Sequence, residues 1–223
     1  MCGKNGLKSC FKLAANIEIA FWMAGNYGSV SSIAGSDWTR AVVISSASYL
    51  HRHTEVAQAM GVAVAADPSQ QMARMSGEEI KKLISGATYL FMNEYELALA
   101  IQKTGWSDHE ILERVKYRVV TLGADGARIE SIDGTFIKVG CAQEKAKVDP
   151  TGVGDSFRSG FVAGLAWGLS HERCAQLGSM IATYVIETTG TQEYRFTKEE
   201  FVGRFSEAYG AEAAAEIAAH LPA

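Results

Sequence analysis

Val148-Asp149-Pro150-Thr151-Gly152-Val153-Gly154-Asp155-Ser156-Phe157 decides how the rest of this chain is read. Two glycines flank one small residue, an aspartate follows at once, and an amphipathic helix is expected from about Phe157. That order suits a loop whose backbone N–H groups point into open space at a helix N-terminus. Orphan donors and the helix dipole act together there to bind anions. A carboxylate at the mouth of an anion site is electrostatically odd. It makes sense if Asp155 takes a proton from a hydroxyl that then attacks a bound phosphate. The competing reading is a tight turn into a helix, since Gly, Pro and Asp are ordinary turn residues.

Other phosphate-binding loops do not match. The chain has no G-x-x-x-x-G-K-[ST] run and no G-x-G-x-x-G after its first strand, which disfavours a Walker-type or dinucleotide site. Downstream of the loop, helices are expected at about Phe157–Gly168 and His171–Thr188. Thr197 to Glu200 is a capping box leading a helix with Phe201 and Phe205, and an Ala-rich helix closes the chain.

Upstream, apolar runs alternate with amphipathic stretches. Ala41–Ser45, Val62–Ala66, Tyr89–Met92 and Arg118–Leu122 read as buried strands, the second ending at Asp67-Pro68. His51–Met60 and Glu94–Lys103 read as helices. Ser76 to Glu79 and Ser107 to Glu110 are further capping boxes, the first followed by Ile80, Leu83 and Ile84 on one face. Ile132-Asp133-Gly134 between Ala127–Ser131 and Thr135–Val139 is a hairpin signal. Residues 1–40 mix Gly, Ser, Asn and aromatics with no sustained period. The pattern predicts an α/β fold with a mainly parallel sheet covered on both faces, from residue 41 to residue 223.

Ligands of such sheets bind where strands end and helices begin. Three features fall there: Asn93 with Glu96, the Thr121–Gly126 turn, and the Gly152–Asp155 loop. Asn93 and Glu96 can be an N-cap and its partner. The same pair can order water around Mg²⁺ near phosphate, because magnesium keeps waters and recruits few protein oxygens. The glycines of Thr121–Gly126 allow close backbone approach to a nucleotide, or merely a strand-exit turn.

With 223 residues, 48% of them hydrophobic, the chain can bury a sizeable core as one large domain. A net charge of -4 disfavours a nucleic-acid partner. Cys2, Cys10, Cys141 and Cys174 are scattered without CxxC spacing, which fits free thiols in a reducing cytosol. No run of 18 apolar residues exists, so no membrane span is expected, and the cytoplasm is the expected location.

The combination resembles one known family. Asp149-Pro150-Thr151-Gly152-Val153-Gly154-Asp155 is similar to the D-T-x-G-A-G-D signature of the ribokinase-like (PfkB) sugar and nucleoside kinases. Asn93-x-x-Glu96 resembles that family's second signature, and Thr121–Gly126 its T-x-G-x-x-G ATP loop, in the family's order. Ala66–Gln71, Thr151–Phe161 and Thr189–Glu193 look most like bacterial adenosine kinases of the actinobacterial type. The resemblance implies a ribokinase-like three-layer sandwich and phosphoryl transfer from ATP·Mg²⁺ to a hydroxyl, with adenosine favoured as acceptor. It makes Asp155 the base, and the N–H groups of Gly152, Val153, Gly154 and Asp155 the anion hole. It lines ATP with Thr121, Gly123 and Gly126, sets Asn93 near the phosphates, gives Glu96 the Mg²⁺ water, and brings Ser179 to the adenine. Asp149, Thr151 and Gly190 become neighbours of a monovalent cation such as K⁺.

Family members begin with strands that carry a substrate aspartate, a Gly-Gly turn and a small lid. None is recognisable here, and residues 1–40 are too short and irregular to supply them all. The chain is therefore expected to be an N-terminally abbreviated, ATP-binding and catalytic portion, its residues 1–40 a remnant of the substrate region. Three functions stay open: an active nucleoside kinase, with a homodimer partner helping to shape the substrate site; a ribokinase- or fructokinase-like sugar kinase; and an inactive module that still holds ATP.

Overall fold

The computed structural model describes residues 63–221 and the backbone of two earlier strands. The helix expected at His51–Met60, the expected domain boundary near residue 40, and Cys2 and Cys10 lie outside the described residues. Seven strands form one sheet in sequential order: β1 (Phe21–Trp22), β2 (Ala41–Ser45), β3 (Ala63–Asp67), β4 (Tyr89–Asn93), β5 (Tyr117–Thr121), β6 (Ala127–Glu130) and β7 (Phe136–Val139). From β1 to β5 every neighbouring pair is parallel. Five-residue connections join β5 to β6 and β6 to β7, too short for a parallel crossover, so the sheet finishes antiparallel. β3 to β5 are mostly apolar, Arg118 on β5 apart, because Val64, Leu90, Phe91, Met92 and Val119 are all buried.

The expected hairpin at Ile132–Gly134 is present. Asp133 Oδ1 accepts from the Ser131 hydroxyl, the Thr135 hydroxyl (2.7 Å) and the Thr135 N–H (2.9 Å). These bonds, the Ser131 one foremost, hold the Asp133 carboxyl down to about 2.

Helices α1 (Gly77–Ile84), α2 (Glu94–Thr104), α3 (Asp108–Leu112), α4 (Val153–Ala166), α5 (His171–Ile186), α6 (Lys198–Tyr209) and α7 (Ala211–Ala218), with short 3₁₀ turns at Ser69–Ala73 and Gly123–Asp125, complete the described elements. Complete capping boxes open α1, α2, α3 and α6 at Ser76, Asn93, Ser107 and Thr197. The sequence misplaces one start. The helix expected at about Phe157 begins at Val153, because Gly152 turns the chain through a left-handed conformation and helical geometry follows immediately. Asp155 therefore lies inside the first turn rather than in the loop before it.

The described residues divide into two compact units. One holds β1, β2, residues 63–123 and residues 128–137, with Ile80, Leu83, Leu90, Met92 and Ile111 in its core. Arg118 on β5 is 1% exposed. Its guanidinium grips both Asp108 oxygens (2.9 and 3.0 Å) and Glu130 Oε2 (2.7 Å), tying α3 and β6 to the sheet. The Lys103 ammonium donates to the carbonyls of Met72, Ala73 and Met75 at 2.7 to 3.0 Å, fastening the turn after β3 to α2.

The other unit holds residues 124–127 and 138–221. In it α4 and α5 approach until their backbones touch: a Cβ on Gly160 would stand 2.7 Å from Gly178 Cα, and one on Gly178 2.5 Å from the Phe157 carbonyl oxygen. Phe201, Phe205 and Ile217 from α6 and α7 are fully buried in this unit. Cys174 is buried too, which pushes its thiol up to about 12. Among the described residues no helix is long and apolar enough to cross a membrane.

Candidate active site

The N-terminus of α4 is built to stay open. Gly152 sits at φ +81°, where an L side chain is strained, and a Cβ there would stand 2.6 Å from Thr191 Cγ2. No side chain caps the helix, whereas α1, α2, α3, α5 and α6 all take a cap from Ser, Asn or Thr. The Gly152 carbonyl accepts the Ser156 N–H at 2.9 Å and starts the helical ladder. The Val153 N–H makes only a long bond, 3.3 Å, to the Pro150 carbonyl. Gly154 has no packing reason to be glycine: a Cβ there would find the Arg158 guanidinium at an ordinary 3.5 Å and nothing closer. First-turn donors, positive dipole and a bare Cα thus come together at Gly152, Val153, Gly154 and Asp155, where the sequence leads one to expect an anion cradle. The Asp155 side chain is 52% exposed and forms an ion pair with Arg158 one turn along.

A second loop braces the first. Asp149 Oδ1 accepts the Thr151 N–H at 2.9 Å, and Oδ2 accepts the Gly190 N–H at 3.1 Å. Thr151, through side chain and backbone, and then Gly190 hold the Asp149 carboxyl below the usual carboxylate range. The Val148 and Asp149 N–H groups both reach the Ile186 carbonyl (2.8 and 3.2 Å), anchoring the loop on the last turn of α5. Asp149, Thr151 and Gly190, expected together from the sequence, are thus gathered at one place, with both Asp149 oxygens engaged by backbone amides.

The strand-end residues gather in the sheet-bearing unit. Asn93 and Thr121 are Cα partners at the C-terminal ends of the parallel strands β4 and β5. Asn93 Oδ1 accepts the Glu96 N–H and Glu96 Oε2 accepts the Asn93 N–H, both at 2.8 Å, which fixes the Glu96 carboxylate at the start of α2. Gly123 follows Thr121 in a short 3₁₀ turn. Gly126, counted with the other unit, is explained by packing: at φ +90° its Cβ would lie 1.9 Å from the Val139 carbonyl oxygen. Ser179, expected near an adenine, is 2% exposed in the middle of α5, where its carbonyl accepts the Thr183 hydroxyl at 2.8 Å.

Sequence reasoning passed over one residue of this kind. Asp67 closes β3, at the strand end corresponding to that of Asn93 and Thr121, and is 2% exposed. It reads in sequence as a turn residue before Pro68. The overlooked signal is an ionisable side chain ending an otherwise apolar strand whose C-terminal end faces the ligand side of a parallel sheet.

The chain is similar to the nucleoside kinase of Methanocaldococcus jannaschii, 33% identical over 141 residues, covering 63% of this chain and 46% of the relative. It is also similar to the nucleoside kinase of Methanothermobacter thermautotrophicus, 31% identical over 159 residues, covering 71% of this chain and 50% of the relative. It spans about half the length of these curated relatives. Among solved structures, Burkholderia thailandensis nucleoside kinase in complex with inosine superimposes with a TM-score of 0.73 at 32% identity, over 79% of this chain and 58% of that one. The fold is thus the α/β fold of the ribokinase-like kinases. The model of the pfkB family of carbohydrate kinases matches residues 22–197, and the chain belongs to that family.

Proposed function

We propose that this chain carries the phosphoryl-transfer centre of a nucleoside kinase, with ATP as donor and a nucleoside hydroxyl as acceptor, adenosine first among the candidates. The observation that carries the proposal is the uncapped start of α4, with Asp155 half-exposed inside its first turn. The nucleoside kinases among the relatives, one of them solved with inosine, favour a nucleoside over a simple sugar.

In this reading the first-turn N–H groups of Gly152, Val153, Gly154 and Asp155 receive the negative charge that spreads over the transferring phosphoryl oxygens. Donors fixed by a helix need no reorganisation as that charge develops. Asp155 accepts the proton of the attacking hydroxyl, whose oxygen bonds to the γ-phosphorus as that phosphorus parts from the β–γ bridging oxygen and ADP leaves. Bound ATP·Mg²⁺ supplies the phosphoryl group and part of the charge neutralisation. Among the described residues no three His, Cys, Asp or Glu side chains form a metal cage. Magnesium held chiefly by phosphates and water requires none. Glu96, pinned by its capping box, and Asp67 would order that water. Asn93 would lie near the phosphates, with Thr121, Gly123 and Gly126 along the nucleotide. A monovalent cation beside the cradle would border Asp149, Thr151 and Gly190.

The test is turnover by the wild-type chain and by Asp155→Asn with ATP·Mg²⁺ and a panel of adenosine, inosine, cytidine, ribose and fructose. The wild type should phosphorylate a nucleoside, and Asp155→Asn should lower the rate on the order of 10²–10⁴-fold. Undiminished turnover in Asp155→Asn would remove Asp155 from the chemistry. Sugars outperforming every nucleoside would reassign the acceptor.

A further inference from the structure

Arg158 is the residue around the cradle whose placement the phosphoryl-transfer reading leaves unused. It stands three positions after Asp155 on α4 and pairs with Asp155 Oδ1. An ordinary i,i+3 pair reaches along the helix surface into water and contributes little. This one is asymmetric: the Asp155 side chain is 52% exposed, but the Arg158 side chain only 13%. The guanidinium lies back over the start of the helix, so a Cβ on Gly154 would find its Nη1 at 3.5 Å and its Cζ and Nη2 at 3.9 Å. One delocalised cation with five donors therefore lies against the bare Cα of the anion cradle and against the carboxylate assigned as base. Largely desolvated, such a group interacts strongly with any charge that arrives.

We propose that Arg158 is a second phosphoryl-binding group, which exchanges the Asp155 carboxylate for an oxygen of the terminal phosphate when ATP enters the cradle. This rests on the phosphoryl-transfer reading above. With the site empty, the guanidinium and the Asp155 carboxylate neutralise one another and keep the base parked. A terminal phosphate carries more charge than a carboxylate and offers pairs of oxygens that a guanidinium can hold bidentately. Once Arg158 turns to it, Asp155 is released toward the acceptor hydroxyl. The acceptor proton then passes to an Asp155 oxygen, the new O–P bond forms, the bond between the β–γ bridging oxygen and phosphorus breaks, and ADP leaves with that oxygen. The device distinguishes ATP from ADP, because only ATP brings an oxygen to the place Arg158 serves.

Calorimetric titration of ATP·Mg²⁺ and ADP·Mg²⁺ into the wild type, Arg158→Met, Arg158→Lys and Asp155→Asn tests this without relying on turnover. Arg158→Met should weaken ATP at least tenfold and ADP by less than about twofold. Arg158→Lys, which keeps the charge without the fork, should recover part of the difference. Asp155→Asn, which removes the carboxylate charge paired with the guanidinium, should bind ATP more tightly than the wild type. Met has similar reach and a good helix propensity, and circular dichroism on each variant separates a folding defect from a binding one. The inference is overturned if Arg158→Met weakens both nucleotides equally or neither, while Asp155→Asn still abolishes transfer; the proposed function then stands without it. If the wild type binds neither nucleotide, both fall together.

Discussion

At the scale of single residues, Gly126 and Gly154 answer different demands, and substitution separates them. Gly126 is held by packing: at φ +90° with the Val139 carbonyl oxygen 1.9 Å from its missing Cβ, Gly126→Ala must displace β7 backbone. It should destabilise the protein by about 2–4 kcal/mol, read as a lower urea midpoint with an unchanged slope. Gly154 is the reverse. A Cβ there makes one ordinary contact, and Ala is favoured over Gly in a helix by about 1 kcal/mol. Gly154→Ala should leave stability unchanged or slightly raised while weakening ATP binding at least tenfold, because the methyl occupies the space the phosphoryl needs. A Gly154→Ala protein that binds ATP as the wild type does would mean that phosphate does not approach this Cα. In the sequence the two glycines look alike. Only the neighbouring backbone tells which one the fold requires.

At the scale of elements, local signals were legible and long-range ones were not. Each capping box was readable because both its members lie within four residues, and all of them form. The hairpin was readable for the same reason, as Ser131, Asp133 and Thr135 bond one another. The start of α4 was misread by four residues because a Gly-Val-Gly run looks like loop until Gly152 is known to make the whole turn alone. Arg118 was hidden altogether. Arg118–Leu122 reads as a buried strand, but nothing local supplies partners for its charge; Arg118 is 1% exposed because Asp108 and Glu130 come from elements ten and twelve residues away. Arg118→Met should therefore cost about 3 kcal/mol, since it takes the buried guanidinium from the partly buried Glu130 carboxylate, which keeps only Arg128 Nε at 3.2 Å, rather than removing a surface pair. Pairing Arg118→Met with Glu130→Gln should recover a large part of that loss in urea denaturation. Losses that simply add would show that the network contributes no coupling.

At the scale of the whole molecule, two compact units each carry part of the proposed chemistry: Asn93, Glu96, Thr121 and Asp67 belong to one, Gly152–Asp155, Asp149 and Gly190 to the other. The parallel sheet was legible because alternating apolar and amphipathic stretches report burial directly. The division into units was not, because residues 124–127 and 138–221 join one body while 128–137 join the other, and hydrophobic periodicity carries no trace of such an interruption. The acceptor was illegible for a further reason: the motifs read in the sequence concern phosphate and nucleotide, and the chain spans about half of each curated relative. Nucleotide binding is therefore the property to measure on the chain as it stands, and thermal unfolding measures it without an acceptor. A ligand held only by the folded state at a hundred times its Kd adds about 2.7 kcal/mol. For a chain of this size that raises Tm by about 5–10 °C. ATP·Mg²⁺ should produce such a shift in the wild type, a smaller one in Gly154→Ala, and the same shift with adenosine present or absent if acceptor binding is not coupled to the cradle. If the shift appears only with magnesium and is lost in Glu96→Gln, whose amide retains a carbonyl oxygen for the capping box but lacks the charge, then Glu96 acts through the metal. A full shift in Glu96→Gln would reduce it to a helix cap.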